Sequence, residues 1–235
     1  AAEPPDFHCA PMNESFAREE ICRVGKSLFE RGYVHASAGN ISVRLDDGFL
    51  ITPTDACLGF LDPSRLARLD AQGRQISGDK GSKTIALHTR IYQSTQGFST
   101  APRCVIHSHS SHCVALTLAP HGSELLPPIT PYFVMKVGHV PVIPYHFPGD
   151  PLAAEQVAQA ITRYAANGIE LRAVMLARLG PNVWHATPAA AMATLEELEE
   201  TARLCSAAST PIAPLDALQI DDLRRVFGAQ WQDLT

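Results

Sequence analysis

The chain has 235 residues, 46% of them apolar and 18% charged, which is enough to fill a sizeable core without disulfide staples. Nineteen lysines and arginines oppose 24 aspartates and glutamates for a net charge of −5, with no block of like charge, so a nucleic-acid surface or a polybasic membrane anchor is not expected. No apolar run reaches the roughly 20 residues that cross a bilayer, which removes a membrane partner and leaves a cytoplasmic location as the expectation.

Residues 1–14 carry three prolines and no hydrophobic period, and read as an arm. A helix follows, because Ala17, Ile21, Val24 and Leu28 recur at helical spacing and Gly32 sits at a C-cap position. Ile41, Val43 and Leu45 alternate, Asp46-Asp47-Gly48 turns, and residues 49–51 return as a hairpin. Residues 52–81 hold another short strand pair. Ile85, Leu87 and Ile91 suggest a short helix, and residues 104–107 a compact buried strand. Cys113 to Leu118 then suit a helix. The proline-rich stretch 120–150 reads as loops around short strands. Asp150-Pro151 and Thr187-Pro188 are two helix starts, with a strand over 173–177 between them. Strands and helices interleave with no dividing linker, so one α/β domain is expected. The six cysteines show neither CxxC spacing nor the density of a small secreted scaffold, and read as free thiols.

The sharpest chemical feature is His107-Ser108-His109. Residues i and i+2 of an extended strand face one side, so the two imidazoles would project together as half of a transition-metal site. Two loops offer donors that could cradle a phosphate: residues 37–42 with Asn40, and the hydroxyls and cation of Thr52, Thr54, Ser82 and Lys83. Each alone is more simply ordinary turn chemistry, and only their assembly in one cleft would make a phosphate site.

The segments RGYVHASAGNISVRL, ITPT, SGDKGSK, HSHS and LEELEETARL, in that order from about residue 16 to residue 208, resemble the class II aldolase/adducin family. Together with ITPYFVMKVGHVPVIPYHFPGD, the SGDKGSK segment looks most like the branch that decarboxylates 3-oxo-tetronate 4-phosphates. The resemblance implies a single-domain, three-layer α/β fold with a central mixed or antiparallel sheet flanked by helices. It sets the arm at 1–15, the domain at 16–208 and a C-terminal extension at 209–235, packing on the domain or on a neighbour. It implies a homo-oligomer, usually a tetramer, and a divalent metal, zinc ahead of manganese or iron. His107 and His109 match the metal histidines. Asn40, Thr52, Thr54 and Ser82 match segments that bind the phosphate of a phosphorylated sugar acid. Lys83 would steer the acid, and Tyr145 matches a tyrosine that protonates or orients substrate.

Two positions depart from the family pattern. Its acid/base glutamate falls on Thr84, and its third metal histidine falls on Leu179. His112, His139, His146 and His185 are the candidates for a replacement ligand, and Arg178 could supply charge in its stead. Losing a general base typically costs ~10²–10⁴ in rate. That penalises aldol cleavage more than decarboxylation, in which carbon dioxide leaves and the chief need is a Lewis acid or donors on the developing enolate. The expected activity is therefore a metal-dependent carbon–carbon lyase, a decarboxylase giving a ketose phosphate. The rivals are a sugar-phosphate aldolase with substitute acid/base groups and a non-catalytic, adducin-like oligomeric module.

Overall fold

The computed structural model describes residues 13–232. Of the expected arm, residues 1–12 lie outside the described residues, and Asn13 already caps the first helix. Its side chain accepts the Phe16 amide, and helix α1 (Glu14–Glu30) then buries Ala17, Ile21, Val24 and Leu28 along one face. The hairpin follows as β1 (Asn40–Leu45) and β2 (Gly48–Ile51), and a second pair as β3 (Ala67–Asp70) and β4 (Gln75–Ser77). Next come α2 (Ile85–Ser94), β5 (Cys104–His107), the short α3 (Ser111–Leu116) and β6 (Val142–Ile143). The chain continues through α4 (Pro151–Ala165), β7 (Ala173–Leu176), β8 (Gly180–His185), α5 (Pro188–Ala207) and α6 (Ala217–Phe227).

Among the described residues the eight strands form one sheet in the order β4-β3-β2-β1-β5-β8-β7-β6. Only β6 and β7 run parallel, so the sheet is mixed. Alternation along the central strands divides the apolar side chains between two layers. Ile41, Val43, Cys104, Ile106 and Val183 face α1 and α5. Val105, Val174 and Trp184 face Ile91 of α2 and Val157 and Ile161 of α4. This is the expected three-layer arrangement, and its central strand β5 delivers His107 to the end of the sheet.

The strand β8 was not expected, although it pairs with β5 along its length. It opens on Gly180-Pro181 and is buried on both faces, so it lacks the alternation that marks a half-buried strand. Beyond α5, Asp216 and Gln219 form a reciprocal capping box that starts α6. Ile220, Leu223 and Trp231 then join the core of the same chain. No helix among the described residues is long and apolar enough to cross a membrane. Cys22, Cys57, Cys104, Cys113 and Cys205 are free thiols.

Candidate active site

The backbone register sets the site. Asn40 of β1, His107 of β5 and Asn182 of β8 are direct neighbours across three strands, so their side chains emerge on the face covered by α2. The strand ends at His107 rather than running through His109, yet the two rings converge. Their centroids lie 5.0 Å apart and their Nε2 atoms 3.2 Å apart. His107 Nδ1–H donates to the Pro181 carbonyl at 3.1 Å, which fixes the tautomer and leaves a lone pair on Nε2. Burial drives the His107 pKa down to about 3, and burial also lowers that of His109, so both rings are neutral near pH 7.

The histidine pair opens into a cleft of about 380 Å³ whose walls include Asn40, Thr54, Ser82, Lys83, Thr84 and Leu179. Thr84 stands at the start of α2, where the helix dipole adds positive potential to that of the exposed Lys83. The Thr84 Oγ1 accepts from Asn40 Nδ2 at 3.2 Å and from Ser82 Oγ at 3.0 Å. With its lone pairs engaged, its own hydrogen is left for a cleft ligand. Asn40 Oδ1 is buried with no protein partner among the described residues. Gly39 lets this loop approach the strand: its φ is +83°, and a Cβ there would lie 2.9 Å from the His107 carbonyl oxygen.

Other expected residues sit elsewhere. Thr52 is fully buried below the cleft wall, where its hydroxyl accepts the Ile41 amide at 3.2 Å. Tyr145 is 64% exposed beside the cleft residues Pro144 and His146. The backbone of Arg178 takes a left-handed φ of +65°, and its guanidinium donates to the Leu118 carbonyl, away from the histidine pair.

Nor do the four replacement histidines join His107 and His109. His112 is tied to Glu199 at 2.8 Å, and His139 stacks on Trp231 at 4.0 Å while bonding the Gln232 carbonyl. His185 lies at the far end of β8, opposite Cys104. His146 does line the cleft, but Asp150 and Gln156 occupy its two nitrogens, and the Asp150 hydrogen bond raises its pKa. Among the described residues no group of three His, Cys, Asp or Glu side chains is placed to hold an ion. Two imidazoles therefore fit a divalent metal as a half-site. Nitrogens bound at ~2.1 Å to one tetrahedral ion stand roughly 3.4 Å apart, close to the spacing observed here.

Two residues missed in the sequence belong to this neighbourhood. Asn182 is fully buried beside His107, with neither amide atom partnered among the described residues. His88, one turn into α2 from Thr84, is also fully buried. Tyr92 donates to the Ser42 carbonyl at 3.1 Å and accepts from Ser42 Oγ, which in turn accepts from His88 Nδ1–H at 2.8 Å. That chain leaves His88 Nε2 a bare acceptor. Asn182 was hidden with its strand, and His88 stands four residues after Thr84, a spacing that marks one helix face and no chemistry.

Burial holds His88 down to a pKa of about 3, against 6.5 when unfolded. Between those values the folded state binds fewer protons than the unfolded one, so stability is full above pH 6.5 and is lost as pH falls toward 3. Each such group contributes a slope of up to about 1.4 kcal/mol per pH unit in that window. Urea midpoints measured at pH 7.5 and pH 5.0 should fall on acidification, and His88→Gln should flatten the fall. An unchanged slope in the variant would show that His88 is not buried as a neutral ring.

A sequence model of the class II aldolase and adducin N-terminal domain matches residues 19–206. A protein of Cupriavidus necator named 3-oxo-tetronate 4-phosphate decarboxylase is 50% identical over 225 residues, spanning 93% of this chain and 99% of that protein. The crystal structure of YgbL from Klebsiella pneumoniae superposes with a TM-score of 0.79 at 41% identity, covering 91% of this chain and 100% of that one. The L-fuculose-1-phosphate aldolase of Thermus thermophilus superposes at 0.67 with 27% identity, covering 83% and 98%.

Proposed function

Since this chain belongs to the class II aldolase and adducin family, we propose that it is a carbon–carbon lyase that decarboxylates a phosphorylated 3-oxo sugar acid. The similarity to the Cupriavidus decarboxylase across nearly the whole of both chains supports the substrate class. The observation that carries the reading is a cleft with two converging neutral imidazoles and, beside them, a hydroxyl donor at Thr84. A 3-oxo-tetronate 4-phosphate has its carboxylate on C1 and its carbonyl on C3, so losing C1 as carbon dioxide leaves a three-carbon ketose phosphate.

The electron pair of the breaking bond flows toward the C3 carbonyl, and groups that stabilise negative charge on that oxygen lower the barrier. The family is metal dependent, and here His107 and His109 would hold the divalent ion, which when bound supplies a Lewis acid. We assign zinc as that ion. Thr84 directs its hydroxyl hydrogen toward anionic oxygen. Asn40, Thr54 and Ser82 bind the phosphate, with Thr52 fixing β1 behind them. Lys83 draws the acid in, and Tyr145 orients it or returns the proton to carbon. The protein is assigned as a cytoplasmic homotetramer, which sedimentation velocity of the purified chain would check at the level of subunit number.

The test is incubation of the zinc-loaded protein with 3-oxo-tetronate 4-phosphate, following carbon dioxide and the phosphorylated products. Stoichiometric carbon dioxide with a ketose phosphate is expected. Release of an aldehyde without carbon dioxide would make the chain an aldolase. No turnover with any divalent ion would make it a non-catalytic module of the adducin kind.

A further inference from the structure

We propose that this chain takes up its divalent ion and its acid substrate as a coupled pair, each raising the affinity for the other. The inference rests on the decarboxylase reading and concerns how the site is loaded. Catalytic zinc usually has three protein ligands and one open position. Here His107 and His109 provide two, and the two cleft residues that stand where the family pattern has its third histidine and its glutamate, Leu179 and Thr84, offer no strong ligand. Leu179 presents only alkyl carbon to the cleft. Thr84 offers a neutral hydroxyl whose acceptor capacity is already used by Asn40 and Ser82.

Charge gives a second, independent reason. An imidazole ligand carries no negative charge, so His107 and His109 alone leave a dication in the cleft uncompensated by their own charge. A 3-oxo acid carries what is missing. Its carboxylate and nearby oxygens provide both negative charge and the donors that two imidazoles leave open. By linkage, an acid that strengthens the hold on the ion is itself held more tightly by the same factor.

A third imidazole is close to the pair. The ring of His35 lies edge-on to His109 at 6.1 Å between centroids. It is exposed and makes no side-chain hydrogen bond among the described residues. If His35 swung in as a third ligand, the ion would bind tightly without the acid, and coupling would be weak. That is a distinct outcome of the experiment.

The experiment titrates the apo protein with Co(II), reading the visible absorption band and the heat of binding, with and without saturating oxalate. Oxalate is an unreactive dianion with adjacent carboxylates, and the free ion is corrected for the complex it forms in solution. Oxalate should tighten Co(II) binding at least tenfold, Co(II) should tighten oxalate binding equally, and His107→Ala/His109→Ala should abolish the ternary complex. Leu179→His should tighten Co(II) alone at least tenfold and shrink the coupling.

Equal Co(II) affinity with and without oxalate would overturn the proposal. So would tight binding of Co(II) alone that His35→Ala weakens. Carbon dioxide release is measured separately. Turnover without coupling would retain the decarboxylase and discard paired loading, whereas coupling without turnover would discard the decarboxylase and leave a site that loads ion and acid together.

Discussion

His107→Ala should lower kcat/KM for carbon dioxide release by about a thousandfold, equivalent to about 4 kcal/mol of transition-state stabilisation. Three losses converge on this one position. The variant removes the Nε2 lone pair that faces His109 across 3.2 Å. It also removes the Nδ1–H bond to the Pro181 carbonyl, which ties β5 to the start of β8. The ring itself fills the space between Asn40 and Asn182 on the covered face of the sheet. A Lewis acid or an oxyanion donor typically supplies ~10²–10³ or more of rate, so losing half of the pair proposed to hold the ion should fall at the upper end. His109→Ala should cost less in stability, because His109 lies beyond the strand end and is only partly buried. Circular dichroism would establish that the His107→Ala protein is folded. A folded variant retaining near-native turnover would remove the histidine pair from the chemistry.

The parts of this site that the sequence exposes are the local ones. His107 and His109 are separated by a single residue, so their convergence needs nothing more than an extended backbone entering them. The helix starts were legible for the same reason. Asp150 accepts the Leu152 amide and Thr187 accepts the Ala190 amide, both within a few residues of the cap. Long-range placement was not legible. Nothing local distinguishes His112, held by Glu199 of α5, from His139, stacked on Trp231 near the other end of the chain, or either from a metal ligand. Asn182 escaped because its strand is buried on both faces and begins with Gly-Pro, a pair that reads as a turn. The bridging role of Thr84 between Asn40 and Ser82 could be learned only once residues 44 positions apart had met.

The turn that displaces Asn182 from sequence view also yields the second large effect. Gly180→Ala should destabilise the protein by at least about 3 kcal/mol, lowering the melting temperature by roughly 6–12 °C for a domain of this size. Gly180 holds φ at +143°, where an L side chain is strained, and a Cβ there would lie 1.9 Å from the Ser108 carbonyl oxygen and 3.2 Å from the His109 Cα. The first contact is with backbone, so no rotamer change relieves it. The two segments must separate, yet the Ser108 amide donates to the Pro181 carbonyl at 3.1 Å and Arg178 is fixed through its own amide to Thr117 Oγ1 at 2.8 Å. Any opening therefore moves His109 relative to His107 and should reduce turnover beyond what partial unfolding explains. Gly97→Ala is the matched control, since a Cβ there meets nothing within 4 Å and the φ is not left-handed. Differential scanning calorimetry of the two variants side by side decides the matter. Equal melting temperatures would mean that the 177–180 turn does not press on the histidine segment, and the close approach that sets the geometry of the pair would have to be sought elsewhere.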